Sequence, residues 1–194
     1  VTSAYAVVNV IGPKSRELLQ KLTKADLSNE KYPFGTCQHF TVGYAPVMSW
    51  RVTYVGELGY ELYIPTEFAV HVYESLWEAG QDLGIKNAGY RTISSLHLEK
   101  GYADWGSELT PEYTPFDAGL GFCVALDKED FIGRDALARI KAEGPKWKLC
   151  TFTLETTDPL MLQGSAPIIH GGKVIGVTSS AGYGHTLGKN ICYG

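Results

Sequence analysis

The chain has 194 residues and carries 17 Lys and Arg against 21 Asp and Glu, a formal net charge of −4 at pH 7. Hydrophobic residues make up 44% of it and the mean hydropathy is −0.08, a composition typical of a folded globular protein. The acidic balance argues against a nucleic-acid binder, which needs excess Lys and Arg to neutralise phosphates.

The sequence predicts neither a membrane span nor a secretory signal. No run of about 18 apolar residues occurs, and the first ten residues, VTSAYAVVNV, lack a basic region and a cleavage signature. The chain begins with Val1 and stops inside a predicted strand at 192–194, so we expect a piece of a longer polypeptide.

The four cysteines are scattered, with no spacing typical of metal ligands. The sequence therefore predicts no bound metal. Three of them, Cys123, Cys150 and Cys192, lie in apolar stretches, and we expect them to be buried free thiols.

The first 86 residues alternate between strand and helix patterns. Strands are predicted at 4–11, 36–42, 47–54 and 60–64, and helices at 13–23 and 66–80. Thr66 is a predicted N-cap, and Gly80 is a natural end for the second helix. In the last strand, Tyr60, Leu62 and Ile64 alternate with Glu61 and Tyr63, and a loop at 55–59 is expected to close a hairpin.

The remaining residues predict two more helices and then a change to strand periodicity. A helix is expected at 88–100, with Ile93, Leu96 and Lys100 along one stripe, and another at 133–143, ending at Gly144. Strands are expected at 122–126, 147–154, 166–170 and 173–178, the last two joined by a primed turn at 171–172. These patterns predict an α+β fold with three parts: an α+β unit at 1–86, a helix-containing segment at 87–145 and a partial β-module at 146–194.

One glycine-rich segment resembles a phosphate-binding motif without matching it. The segment 182–189, GYGHTLGK, resembles a phosphate loop, but its glycine spacing is wrong and Asn190 stands where a Ser or Thr would contact magnesium. No GxGxxG motif follows a strand, so we do not expect the chain to bind a dinucleotide by itself.

The segment 53–61, TYVGELGYE, is the most informative one. Its two glycines allow a close backbone approach, and the Glu61 carboxylate is able to accept paired N–H bonds of the kind that an aminopyrimidinone ring offers. Tyr54 is a candidate aromatic wall beside it. The local pattern alone favours the simpler interpretation, a solvent-facing strand glutamate beside an ordinary turn.

This hairpin resembles the T-G-E-x-G-Y-E signature of the folate-binding aminomethyltransferase superfamily, which includes the glycine cleavage T-protein. LEKG at 98–101, PFDAGL at 115–120, FIGRDAL at 131–137 and GVTSS at 176–180 follow in that family's order and spacing. The segments 87–91 and 98–102 look most like the C-terminal region of the sarcosine and dimethylglycine dehydrogenases. The resemblance implies a ferredoxin-like-type α+β unit and part of a C-terminal β-barrel.

The resemblance also implies a ligand and the residues that bind it. Tetrahydrofolate would be the ligand, with Glu61 holding the pterin and Tyr54, Tyr102 and Trp105 lining the channel; Arg91 is a candidate contact for the folate tail. The flavin, FAD, would belong only to a separate domain of the parent chain. As part of a dehydrogenase, the chain would help to capture a one-carbon unit as 5,10-methylenetetrahydrofolate, in the mitochondrial matrix of a eukaryote or the cytoplasm of a bacterium.

The chain departs from the family's pattern at two positions that concern ligand binding and catalysis. Ile93 stands where the T-protein has an arginine for the folate tail, and no residue matches the catalytic aspartate, so we expect no catalytic residue and no amine oxidation by this chain alone. The alternatives are a glycine cleavage T-protein and a non-catalytic subunit resembling the regulatory subunit of pyruvate dehydrogenase phosphatase.

Overall fold

The computed structural model describes residues 1–156, 158–160 and 164–194, which form two compact units, Val1–Gly89 and Tyr90–Gly194. The first unit contains β1 (Tyr5–Ile11), α1 (Ser15–Gln20), β2 (Cys37–Val42), β3 (Ala45–Trp50), β4 (Gly59–Pro65) and α2 (Ala69–Ala79). The second contains α3 (Tyr90–Lys100), α4 (Arg134–Glu143), β5 (Thr151–Thr153), β6 (Pro167–His170), β7 (Lys173–Val177), β8 (Ala181–Gly184) and β9 (Lys189–Tyr193). The predicted α+β class is confirmed.

The first unit is built on a four-stranded antiparallel sheet in the order β1-β4-β3-β2. The predicted alternation along β4 is confirmed, because Tyr60, Leu62 and Ile64 are fully buried while Glu61 and Tyr63 are half-buried on the other face. Side chains from α1 and α2 pack against the buried face. Each fully buried Leu or Ile contributes about 1.5–3 kcal/mol, so this face anchors the sheet.

The helices of the first unit begin and end differently from the sequence pattern. The structure has α1 over Ser15–Gln20, shorter than the predicted 13–23, and α2 starts at Ala69 after a 3-10 turn. Thr66 does not cap this helix, because its hydroxyl donates instead to the Ser3 carbonyl oxygen at 2.6 Å. Gly80 does end α2 as predicted, and a Cβ there would lie only 2.7 Å from the Ile85 side chain.

The third strand of the first unit is also shorter than predicted. Strand β3 covers Ala45–Trp50, whereas the sequence pattern extended the strand to Tyr54. Beyond the strand, the Val52 carbonyl oxygen comes within 2.6 Å of the position that a Cβ on Gly59 would take. Only glycine permits this close approach at the start of β4.

The second unit contains a three-stranded sheet in the order β5-β9-β8 and a separate hairpin of β6 and β7. The primed turn of that hairpin is confirmed, since Gly171 and Gly172 both have positive φ, 57° and 76°. Helix α4 ends at Gly144, as predicted. The strand expected at 147–154 is reduced to β5, and the segment predicted as a strand at 122–126 contains a 3-10 turn at Gly121–Cys123.

The buried face of α3 differs from the predicted stripe. Lys100 is exposed and Ile93 only half-buried, whereas His97 and Leu98 are buried. Leu98 packs in a cluster with Ile191 and Tyr193 of β9. The tertiary contact with the sheet therefore selects the buried face of this weakly amphipathic helix.

The exposure of each cysteine depends on where the strands lie in the structure. Cys123, Cys150 and Cys192 were predicted to be buried free thiols, but burial is wrong for two of them: Cys123 is exposed and Cys150 half-buried, because neither lies in an interior strand. Cys192 on β9 is buried, and burial raises the pKa of its thiol. No helix in the described ranges is long and apolar enough to cross a membrane.

Candidate functional site

Glu61 lies in the middle of the sheet face that α1 and α2 leave uncovered in the first unit. Strand register places Asn9 of β1 directly opposite it on one side and Trp50 of β3 on the other. Directly opposite residues share a face of the sheet, so these three side chains form a cross-strand row. Val7, at 52% exposed, and Trp50, at 42%, leave this face accessible and partly apolar within the unit.

One oxygen of the Glu61 carboxylate is held in place by a neighbour on its own strand. The Tyr63 hydroxyl donates to Glu61 Oε2 at 3.0 Å. This hydrogen bond, together with burial, raises the pKa of Tyr63 and keeps its hydroxyl a neutral donor. Among the described residues no hydrogen bond to Glu61 Oε1 is seen, so the carboxylate is oriented and retains an oxygen that is able to accept from a ligand.

Two aromatic residues precede Glu61 in the sequence, Trp50 and Tyr54, and the structure places them differently. Trp50 stands directly opposite it, a neighbour that local pattern did not identify because cross-strand register depends on the length of the connection between β3 and β4. Tyr54 lies half-buried in that connection, outside any strand. Of the predicted site residues, Glu61 and Tyr54 therefore both belong to the first unit.

The other three predicted site residues belong to the second unit. Arg91 is exposed in the first turn of α3, and Tyr102 is half-buried just beyond the end of that helix. Trp105 is 81% exposed at a tight turn. The Tyr102 backbone is fixed by His97, whose Nδ1 lies 2.8 Å from the Tyr102 carbonyl oxygen and whose carbonyl accepts the Tyr102 N–H at 3.1 Å.

The turn that presents Trp105 is held by a buried carboxylate. Glu108, only 3% exposed, accepts the Asp104 N–H at 2.9 Å with Oε2, and accepts the Ser180 N–H at 2.9 Å and the Ser179 hydroxyl with Oε1. Three donors satisfy this carboxylate inside the protein. It is thus a structural link between the turn and the segment before β8.

The structure also explains why the glycine-rich segment 182–189 is not a phosphate loop. It forms the hairpin of β8 and β9, and Glu99 Oε1 accepts the Thr186 N–H at 2.7 Å and the Leu187 N–H at 3.4 Å. A carboxylate already occupies the backbone donors and would repel a phosphate. Across the described ranges no three His, Cys, Asp or Glu side chains are grouped so as to hold a metal ion.

Two family models match the chain. The GCVT N-terminal domain matches residues 1–128, and the glycine cleavage T-protein C-terminal barrel domain matches residues 148–194. The chain is 40% identical over 194 residues to human mitochondrial dimethylglycine dehydrogenase, a match that covers 100% of this chain and 22% of that protein. It is also 40% identical over 199 residues to the mouse mitochondrial regulatory subunit of pyruvate dehydrogenase phosphatase, covering 100% of this chain and 23% of that protein.

The fold of the chain is also similar to that of a solved structure of the same family. The crystal structure of the glycine cleavage system aminomethyltransferase T from Bartonella henselae matches with a TM-score of 0.78 and 26% identity, over 97% of this chain and 50% of that one. The chain thus spans half of that enzyme and about a fifth of the mitochondrial relatives. By sequence and by fold, it belongs to the aminomethyltransferase family of the glycine cleavage T-protein, as a domain related to the dimethylglycine dehydrogenases.

Proposed function

We propose that this chain is a tetrahydrofolate-binding module of a flavin-dependent N-methyl amine dehydrogenase. The observation that carries the proposal is the Glu61 carboxylate, oriented by Tyr63 on an accessible sheet face with Trp50 beside it. When bound, the reduced folate would accept the one-carbon unit as 5,10-methylenetetrahydrofolate. The flavin would belong to a domain outside this chain.

In this proposal the residues of the first unit bind and orient the ligand. Glu61 accepts paired N–H bonds from the pterin ring, and the charge on the carboxylate strengthens them. The Trp50 indole offers an apolar wall for the flat ring. Tyr54, Tyr102, Trp105 and Arg91 remain predicted contacts, each testable by its own substitution.

Substitution of Glu61 by Gln tests the proposal. Gln keeps the shape but turns one acceptor oxygen into an NH2 donor, so a pterin N–H would face another donor. We expect tetrahydrofolate affinity in the full-length protein to fall by roughly 1.5–3 kcal/mol, about 10- to 150-fold, measured by calorimetric titration. Glu57→Gln is the matched control, because Glu57 is exposed in the preceding loop. Unchanged affinity in a folded Glu61→Gln protein would make Glu61 an ordinary strand residue.

The second candidate is a regulatory subunit without catalytic activity. It is favoured by the relationship to the phosphatase regulatory subunit, which is as high in identity as that to the dehydrogenase. Amine-dependent reduction of a flavin in the full-length protein distinguishes the two, since only the dehydrogenase proposal requires it. Folate binding without such reduction would favour the regulatory candidate.

A further inference from the structure

Two arginines of the first unit converge on one neutral oxygen atom. Arg16 of α1 and Arg51, which follows β3, each donate through Nη2 to Asn29 Oδ1, at 2.7 Å and 2.6 Å. Arg16 Nε also donates to the Tyr60 hydroxyl at 3.2 Å, and Arg51 Nη1 donates to the Tyr32 carbonyl oxygen. These bonds fix both guanidinium groups. We call this arrangement the Arg16–Asn29–Arg51 cluster.

The cluster holds two positive charges and no counter-charge. Among the described residues neither arginine forms an ion pair, although Glu17 and Glu30 are adjacent to cluster residues in the sequence. Because both guanidinium groups contact the same amide oxygen, they lie close enough to repel each other, and a neutral amide offsets that repulsion poorly. An oxyanion between them would neutralise it and accept from both.

Two unused buried polar atoms, one of them on Arg51 itself, give a second indication. Arg51 Nε and Ser49 Oγ are buried side-chain atoms without a hydrogen-bond partner among the described residues, and Ser49 is 0% exposed. The pairing of β2 with β3 continues past Trp50, since the Arg51 N–H donates to the Thr36 carbonyl oxygen at 3.0 Å. Residues 49 and 51 therefore share a face of the strand. Buried donors without acceptors are costly, so this edge of the guanidinium favours an added acceptor.

We propose that the Arg16–Asn29–Arg51 cluster is a binding site for a small oxyanion, a phosphate or a carboxylate group, bridged by the two guanidinium groups. Planar guanidinium forks match the oxygens of both anions. The cluster contacts Tyr60, whose side chain lies on the sheet face opposite Glu61. The site is thus separate from the folate site proposed above, and the test of one proposal does not decide the other.

Substitution of Asn29 by Asp tests whether the positive charge is unmet. The carboxylate has the shape of the amide and places a negative charge between the two arginines. We expect Asn29→Asp to raise the midpoint of thermal unfolding and to abolish any stabilisation by added phosphate. A variant that is no more stable than the wild type and still responds to phosphate would overturn the proposal.

Direct binding is measured by thermal unfolding of the 194-residue protein in sodium phosphate, sodium acetate and sodium chloride at matched ionic strength. Stabilisation by phosphate alone identifies a phosphate site, and stabilisation by acetate alone identifies a carboxylate site. Stabilisation by both identifies a general oxyanion site. A response to phosphate and acetate no greater than to chloride overturns the proposal.

Charge-removing variants separate this site from the general effect of salt. Arg16→Gln is expected to weaken oxyanion binding about tenfold or more, the effect of losing one charge-assisted hydrogen bond. Lys24→Gln, which removes one exposed charge from the nearby loop, is expected to change it little. An equal loss in both variants contradicts a specific site. Arg16→Gln leaves the bond between Arg51 and the Tyr32 carbonyl intact, so it is preferred to a substitution of Arg51.

Discussion

Replacing Asp117 by Asn removes a negative charge that three hydrogen bonds hold in a buried position of the second unit. Asp117, 6% exposed, accepts the Thr114 N–H at 2.9 Å and the Thr114 hydroxyl at 2.6 Å with Oδ2, and the Trp147 N–H at 2.9 Å with Oδ1. The carboxylate thereby connects the turn at 114–117 to the chain that leads into β5. Burial by itself would raise the pKa of Asp117, but the hydrogen bonds from Thr114 and Trp147 outweigh it and lower the pKa.

The magnitude follows from what Asn is able to retain. If the amide oxygen faces Thr114, two bonds survive in weaker, uncharged form, and the NH2 group faces the Trp147 N–H. The loss of one hydrogen bond to a charged group amounts to about 1.5–3 kcal/mol. We therefore expect Asp117→Asn to lower the free energy of unfolding at pH 7 by about that amount.

The pH dependence provides a second measure of the same bonds. Because the folded pKa lies below the unfolded value of about 3.9, the charge of Asp117 stabilises the fold above that pH. This stabilisation is lost as pH falls through the folded pKa, when both states are protonated. The difference between the wild type and Asp117→Asn is therefore expected to shrink in strong acid.

Urea unfolding at pH 7 and in strong acid, followed by tryptophan fluorescence and circular dichroism, measures both effects. Where the two units unfold in separate transitions, the transition of the second unit is the one compared. Asp130→Asn is the matched control, because Asp130 is exposed in the same unit. The reasoning is refuted if Asp117→Asn is no less stable than Asp130→Asn at pH 7, or if its deficit persists undiminished in acid.

Three further substitutions test other parts of the fold by the free energy of unfolding. Asn190 is fully buried and bonds the backbone of Thr156, Asp158 and Leu160. Asn190→Ala is expected to cost about 2–4 kcal/mol, and a cost below that range would contradict this role. Gly59→Ala places a Cβ 2.6 Å from the Val52 carbonyl oxygen and is expected to cost about 1–3 kcal/mol, unlike Gly89→Ala, which has open space. Tyr193→Phe removes the hydroxyl that donates to two backbone carbonyls of α3 and is expected to cost about 1–2 kcal/mol; an unchanged unfolding midpoint would show those bonds to be unimportant.

Local sequence patterns predicted the features whose causes are themselves local. The buried alternation of Tyr60, Leu62 and Ile64 follows from the two-residue period of a strand with one face in a core. The primed turn at 171–172 needs two positive φ angles, which glycine adopts readily. The family resemblance was also visible in the sequence, because its motifs recur in order along nearly the whole chain.

The tertiary structure decided which of several acceptable local arrangements the chain adopts. Helix α3 has apolar residues on more than one side, and contact with β9 selected Leu98 over the stripe that contains Ile93. Thr66 has the residue type of an N-cap, but its hydroxyl bonds to the backbone 63 residues away. Side-chain hydrogen bonds of this range are invisible to local periodicity.

The two sites of the first unit differ in how far the sequence predicts them, for the same reason. Glu61 was identifiable from its hairpin motif, but its neighbours Asn9 and Trp50 follow from strand register, which one residue more or less in a connection would change. Arg16, Asn29 and Arg51 come from a helix, a loop and the end of a strand, and no motif joins them. The sequence by itself thus determined the strand faces and the family. The tertiary fold decided that the two arginines meet at one oxygen atom. Groups so distant along the chain come together only because the loop at 24–35 packs against the sheet.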